Sequence, residues 1–456
     1  MITSKTLRPY LLSFEFWRTQ PLIIIILVFI NLIPLHAQPL LNLDEAIRVG
    51  IENNYDVRIA RNERDIAKNN TSAGNAGFLP KVSIGSSYEK SITAADVKVV
   101  TGTELVNNRA HTDWIDAGLF VKWTLFDGFG MFIRRDQFQK IQEIGEEAYW
   151  AEIEKTIADI IIKYFDIVSN QMLLNVLVDQ VELSQLRLQI IESRHKVGSV
   201  SEIELLKARV ELHADESARA NQQALTQNHK TLLNELLARD VSLDFLVADT
   251  ITLMPDLDLQ LIKNTSLRDN RDVLLGQLHQ EYSEMLVKQL LAMRLPSVRF
   301  FSNYYFTQTE TQAAFIQSNR QIGPHLGLSI DFPLFDGFKK RLEVQNALIS
   351  KENANFRLSQ VQHNIQSLVA RVSNQYENDL QQLSFERQHL SLAQKNLEIA
   401  RESFAVGALS SIELREVQKN LMAAQNRIIS ALYNAKSNET LLLLISGKLM
   451  SESENR

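Results

Sequence analysis

The hydrophobic pattern of this chain changes period several times, and each change marks an element. Between residues 80 and 126 apolar and polar positions alternate. Val82, Ile84 and Tyr88 stand against Lys81, Ser83, Gly85 and Ser87, and later Ala117, Leu119, Val121, Trp123 and Leu125 against Asp116, Gly118, Lys122 and Thr124. A period of two is that of a strand with one apolar face. The alternation returns between 296 and 335, with Val298, Phe300, Tyr304 and Phe306, then Leu326, Leu328, Ile330 and Phe332. Arg299, Asn303, Gly327, Ser329 and Asp331 occupy the opposite positions, while Phe120 and Phe301 break the rule. The polar stretches 89–113 and 308–323 read as long loops joining the strands of each pair.

After each strand pair the period becomes seven. From 130 to 196 there is no Pro and one internal Gly, Gly145. Ile153, Ile160, Ile167, Leu174, Val181 and Leu188 form a heptad row, and the companion row, Ile157, Tyr164, Gln171, Val178 and Gln185, grows more polar along the chain. A helix over this span is about 100 Å long at 1.5 Å per residue, too long for a compact domain. Its heptads predict side-by-side packing with other long helices, as a coiled-coil rod or as the wall of a helical tube. A second such helix is expected over 337–405, with Val369, Tyr376, Leu383, Leu390 and Leu397 in phase and a poorer companion row that includes Ser373 and Arg387.

These parallels are an internal repeat. Thr124-Leu-Phe-Asp-Gly-Phe129 returns as Pro333-Leu-Phe-Asp-Gly-Phe338, and Val197-Gly198 with Ile203-Glu204-Leu205 returns as Val406-Gly407 with Ile412-Glu413-Leu414. Upstream, Asn54-Tyr-Asp-Val57 matches Asn270-Arg-Asp-Val273, and Leu79-Pro80 matches Leu295-Pro296. The spacing is 209 in the first pair of matches and 216 in the second, so the copies differ by seven residues near the strands. The chain therefore divides into a first repeat over 38–239 and a second over 266–447, with an irregular linker at 240–265 containing Pro255 and a tail at 448–456. Each repeat starts with one helix (43–73; 270–294) and continues through the strand pair and the long helix. It turns at a tip (197–200; 406–409) and returns as a second helix (201–239; 410–447). Gly198 and Gly407 supply the left-handed position that stops a helix, and Ser201 and Ser410 or Ser411 cap the next one. Val197, Gly198, Val406 and Gly407 thus serve helix termination, a surface offered to a partner helix, or both.

An amphipathic hairpin fits either a soluble sheet or the wall of a membrane barrel. The neighbouring helices have only narrow apolar stripes, so the hairpins lack an apolar partner. Four strands do not close a barrel alone, and open edges are not tolerated in hydrocarbon. A membrane barrel would therefore be built from several chains, with Tyr88, Trp114 and Tyr304 as interfacial aromatics.

The N-terminus and composition narrow the compartment. Lys5, Arg8 and Arg18 precede the apolar run 22–35, and Leu35-His36-Ala37 then leads into Gln38, the layout of a secretory signal over residues 1–37. It carries three Lys/Arg and one Glu, so without it the net charge of −6 becomes −8, and nothing electrostatic favours nucleic acid. No further segment reads as a membrane helix. The absence of Cys excludes a disulfide scaffold, a cysteine nucleophile and a lipidated N-terminal cysteine. Sixteen Gly and nine Pro in 456 residues leave long helices uninterrupted. No P-loop, zinc spacing or G-x-S-x-G elbow is present, so neither enzyme activity, cofactor nor metal is expected.

The duplicated order of helix, strand pair, long helix, Val-Gly tip and helix resembles the TolC-like outer membrane efflux protein family over about residues 41–447. The resemblance implies an α+β membrane protein. In it, a homotrimer builds one 12-stranded outer membrane β-barrel, four strands per chain, and its helices form a periplasmic α-barrel. It implies an exit duct for a tripartite efflux or type I secretion system, docked through a periplasmic adaptor to an inner-membrane pump of RND or ABC type. In the family an acidic ring stands six and nine residues past the second tip glycine, here Glu413 and Glu416, and six past the first stands Glu204. The alternative for these is a solvated helix face. A Tyr and an Arg that lock the closed tip in some members are Phe404 and Leu409 here, so that lock is absent. The turns Phe126-Asp127-Gly128 and Phe335-Asp336-Gly337 would join barrel to helices. A soluble or peripheral periplasmic coiled-coil scaffold is the alternative for the whole chain.

Overall fold

The computed structural model describes residues 39–255 and 257–449. The expected signal at 1–37 and most of the tail lie outside the described residues. Helices α1 (Leu43–Asn53), α2 (Tyr55–Asn69) and the single turn α3 (Ala73–Ala76) precede strands β1 (Lys81–Lys98) and β2 (Glu104–Asp127). Helix α4 (Gly130–Lys196) then runs out and α5 (Glu202–Leu236) returns. The second repeat is α6 (Leu259–Asp269), α7 (Arg271–Ala292), β3 (Ser297–Thr311), β4 (Ser318–Asp331), α8 (Lys339–Ala405) and α9 (Ser411–Ile445). Both α4 and α8 have 67 residues, about 100 Å.

Three expectations need correction. The single helix over 43–73 is broken at Asn54, whose side chain leaves α1 and caps α2 by accepting from the Asp56 and Val57 amides (2.9 and 3.1 Å). An Asx cap competes with helix continuation because it satisfies the same orphan amides. The linker at 240–265 is irregular only in part, since α6 begins at Leu259 under the Asp258 cap. The polar stretches at 89–113 and 308–323 are mostly extended strand, turning only around Val99–Thr103 and between Thr311 and Ser318. Polar residues continue a ladder when both its faces are wet, as the Thr112–Thr311 hydroxyl bond (2.7 Å) illustrates.

The four strands form one antiparallel sheet in the order β1-β2-β3-β4, so the two hairpins lie side by side. Register puts Val82 opposite Val121 and Ile84 opposite Leu119, while Val298 faces Ile330 and Phe300 faces Leu328. One face of the sheet is therefore apolar, and it is uncovered: Ile84 is 84% exposed and Leu326 74%. From Val298 to Phe306 this band extends about 26 Å along the strand. Tyr88 donates to Asp113 (2.7 Å), which lies 3.5 Å from Lys90, and there the face becomes charged. Trp114 lies on the other face, paired with Glu89 and donating to Thr307 (3.0 Å), and so does not join Tyr88 and Tyr304.

Phe120 and Phe301 have a structural reason to break the alternation. Both lie on the polar face beside glycines: a Cβ on Gly327 would come within 2.5 Å of the Phe301 ring, and one on Gly85 within 3.4 Å of Phe120. The rings cover backbone that glycine leaves bare.

Two clusters of buried side chains lie midway along the rods. Ile153, Ile157, Ile160, Tyr164 and Ile167 are buried against α1, α2 and the end of α5, with Leu233, Leu237 and Phe245. A matching cluster in the second repeat joins Ile365, Val369, Val372 and Tyr376 to Ile262 and Leu442. Along α4 one stretch is long and apolar enough to cross a membrane, contrary to the reading of the sequence. Of that stretch 44% is buried inside the molecule. The linker wraps this waist, where Tyr164 donates to the Leu41 carbonyl (3.0 Å) and accepts from the Ala248 amide (3.1 Å).

Candidate functional site at the helix tips

Each rod connects to the sheet through Phe-Asp-Gly-Phe, and both copies solve the turn alike. Gly128 and Phe129 have φ of 69° and 68°, and Gly337 and Phe338 have 69° and 65°. Two consecutive left-handed residues are costly unless one is Gly. The second is held by its ring, edge-on to the preceding Phe at 5.1 and 5.3 Å. Asp127 and Asp336 accept from the Met131 and Lys340 amides (2.8 and 3.0 Å), placing a carboxylate at each helix N-terminus.

At the far end α4 stops through Gly198 (φ 75°), with the Ser199 amide on the Arg194 carbonyl at 2.9 Å, and α8 stops through Gly407 (φ 83°) in the same way. Val197 and Val406 project from these stops, about four-fifths exposed. Ser201 caps α5 through the Glu204 amide (3.4 Å). Ser410 caps α9 reciprocally: it accepts from the Glu413 amide (3.3 Å), and the Glu413 carboxylate receives the Ser410 amide (2.9 Å) and hydroxyl (2.7 Å). These bonds from Ser410, side chain first, hold the Glu413 carboxyl below the usual range, so it is ionised at neutral pH. Glu416 follows one turn on and is exposed, whereas Glu204 is half-buried. Glu413 is therefore a helix cap whatever else it does. The Ser-x-x-Glu spacing at 410–413 is the sequence signal of that role.

Phe404, which stands where the resemblance leads one to expect a Tyr, makes a contact between the two rods. Phe404 is buried, and Arg194 of α4 stacks on its ring (4.9 Å to the centroid) while donating to its carbonyl at 2.7 Å. The last turn of the first rod is thus tied to the last turn of the second. The basic run Arg194-His195-Lys196 is where the sequence hints at it.

Seven residues above, about 10 Å along the helix, a buried polar network joins three helices. Arg415 of α9 binds Asp215 of α5 through two bonds (2.8 and 2.7 Å), and Ser184 and Gln180 of α4 donate to the same carboxylate at 2.5 and 3.2 Å. Arg187 of α4, its side chain 1% exposed, pairs with Glu211 of α5. Burial pushes the Arg187 guanidinium down. Burial opposes the Asp215 charge too, but the donors from Arg415, Ser184 and Gln180 prevail and hold that carboxyl below its ordinary value. No sequence rule singles these residues out, because polar positions facing inward have the periodicity of a solvated stripe.

The family model for the outer membrane efflux protein matches residues 47–239 and 263–448, both repeats of the chain. The chain belongs to the outer membrane efflux protein family. Among curated relatives, Protein CyaE of Bordetella pertussis (strain Tohama I) is 25% identical over 234 residues, 49% of this chain. The chain spans about half the length of that relative, 48%. Among solved structures, the CmeC outer membrane channel of Campylobacter jejuni superposes with a TM-score of 0.73 at 18% identity, over 91% of this chain and 89% of that one. The outer membrane protein VceC of Vibrio cholerae gives 0.71 at 14%, over 89% and 96%. At these identities the structures establish a shared fold, in which this chain has its sheet at one end and its tips at the other.

Proposed function

We propose that this protein is the outer membrane exit duct of a tripartite efflux or type I secretion system, passively conducting what a pump delivers. The observation that carries this reading is the sheet, with an uncovered apolar band on one face, a polar opposite face and, among the described residues, unpaired edges at β1 and β4. In hydrocarbon those edges need partners. Three copies joined β4 to β1 give 12 strands with the apolar band outward and Lys122, Asn303 and Ser329 lining a lumen. The rods then extend about 100 Å below the membrane as a helical tube.

At its end, Glu413 and Glu416 of three copies form an acidic ring that draws cations to the entrance, with Glu204 behind it. Val197, Gly198, Val406 and Gly407 are the exposed surface for a periplasmic adaptor, which couples the duct to an inner-membrane pump of RND or ABC type. The chain carries no chemistry of its own, and the energy for transport comes from the pump. A soluble coiled-coil scaffold is disfavoured because it would leave the apolar sheet face in water.

Fractionation and planar-bilayer recording test this directly. A heat-modifiable oligomer in the outer membrane that conducts ions is expected. A soluble periplasmic monomer without conductance would overturn the reading.

A further inference from the structure

At the foot of the sheet, where the strands meet the rods, charge of one sign is gathered. A recess of about 830 Å³ opens there between the α3 turn, the start of α4 and the ends of all four strands. Four cationic side chains line it, Lys81, Lys122, Arg134 and Arg299, and among the described residues no carboxylate does. The strand register produces this crowding. Lys81 of β1 stands directly opposite Lys122 of β2. Lys122 faces Phe301 and Thr124 faces Arg299, so Arg299 of β3 is the diagonal neighbour of Lys122 on the same face. Like charges directly opposite each other weaken a sheet.

Two of the four cations have partners. Arg299 pairs with Asp331, and Arg134 lies 3.7 Å from Asp127 while donating to the Ala76 carbonyl at 2.9 Å. Among the described residues no carboxylate comes within ion-pair distance of Lys81 or Lys122, so each chain has two uncompensated positive charges here. The hairpin does not require them. Adding 216 to 81 and 209 to 122 gives the equivalent positions of the second repeat, Ser297 and Asp331, which face each other in the same way without a lysine. The site is also framed. Asn75, Thr124 and Ser329 line it with neutral polar groups, and the indole N–H of Trp123 holds the loop before β1 by donating to the Phe78 carbonyl (2.8 Å).

We propose that this recess binds a multivalent oxyanion, a phosphate- or sulfate-bearing group held between Lys81 and Lys122. Directly opposite residues have Cβ atoms about 5 Å apart, so both ammonium groups reach one such group and relieve their mutual repulsion on it. Arg299 and Arg134, each steered by its own carboxylate, add to the field around it. Lys81, Lys122 and Arg299 lie on the polar face, so in the three-copy duct proposed above the recess opens to the lumen. Three recesses then form a positive collar between barrel and helical tube, opposite in sign to Glu413 and Glu416 at the tips. The collar rests on that reading, whereas the anion site rests on the recess alone. A free polyanion and an anionic lipid headgroup share this chemistry, and the polar-face position favours the free one.

Inorganic tripolyphosphate is the probe, with acetate at matched ionic strength as the control. Calorimetric titration of the purified wild type in neutral detergent is expected to show saturable tripolyphosphate binding and none for acetate. Lys81→Gln with Lys122→Gln should weaken that binding about ten-fold, two exposed ion pairs being lost, and Lys81→Arg with Lys122→Arg should retain it. In planar bilayers tripolyphosphate should block the wild-type conductance. The glutamine pair should relieve that block, whereas Glu413→Gln with Glu416→Gln should not. Wild type that binds tripolyphosphate no better than acetate overturns the site, and so does equal affinity in wild type and the glutamine variant. A protein that binds through the lysines but never conducts supports the recess and overturns the duct, while conduction without binding does the reverse. Phosphatidylglycerol that co-purifies with wild type and is lost from the glutamine variant, with no tripolyphosphate binding, assigns the recess to a lipid headgroup and overturns the free anion.

Discussion

Replacing Arg415 by Met removes the cation from the buried network above the tips. Arg415 holds both oxygens of Asp215 at 2.8 and 2.7 Å, and the two side chains are 10% and 8% exposed. At an effective dielectric of about 20 the attraction at this distance is roughly 6 kcal/mol, much of it offset by desolvation. Removing one partner leaves a buried charge whose remaining hydrogen-bond donors are Ser184 and Gln180, a cost of about 3–5 kcal/mol. The pair ties α9 to α5, so this cost falls on the state in which the two helical hairpins are together. If the tips open by separating those hairpins, the closed-to-open ratio falls by about two to four powers of ten. The expected result is a rise in open-channel conductance in planar bilayers for Arg415→Met, and likewise for Asp215→Leu. The double variant buries no unpaired charge and is expected to return most of the way to wild type. Additivity of the two single effects within about 0.5 kcal/mol would refute the coupling. The pH dependence has a definite sign. Asp215 has its carboxyl lowered in the folded state, so its contribution is complete above its unfolded value of about 3.9 and is lost only as pH falls through the lower folded value. Conductance due to this network is therefore flat from neutrality down to about pH 4 and rises below it.

Other expectations are simpler to check. Glu413→Gln with Glu416→Gln should lower cation selectivity and divalent block, read from reversal potentials, and unchanged selectivity would remove the acidic ring from the proposed entrance. Burial raises the Glu154 carboxyl despite Arg271, so ionising it works against the fold as pH climbs past its unfolded value of about 4.3. Glu154→Gln should thus raise the melting temperature at pH 8 but not at pH 4, a difference that calorimetry resolves. Phe301→Ser uncovers Gly327 and should weaken the barrel's resistance to denaturing detergent, whereas the same change at Phe315, beyond the band, should not.

Much of the architecture was legible because it is periodic. The span 130–196 is read from a stretch without Pro and with one internal Gly that carries the heptad row Ile153 to Leu188, and the structure has α4 over the same residues. The alternation of Val82, Ile84, Leu326 and Leu328 likewise predicts which face of the sheet is apolar. Local competition was harder to read. Asn54 ends one helix and caps another, and nothing in the 3.6-residue pattern around it differs from a continuous helix. Strand continued through 89–113 because a ladder satisfies polar backbone as well as water does, and composition cannot distinguish the two.

The sequence alone determined the duplication, the lengths of the rods and the positions of their ends, since these follow from spacing, capping residues and repeat offsets that any copy of the chain carries. Tertiary structure decided what the inward polar residues do. Asp215 meets Arg415 across 200 positions of sequence, and Arg194 meets Phe404 across 210. Such pairs exist only after the helices dock, because the burial that makes them strong is a property of three packed helices and of no single one.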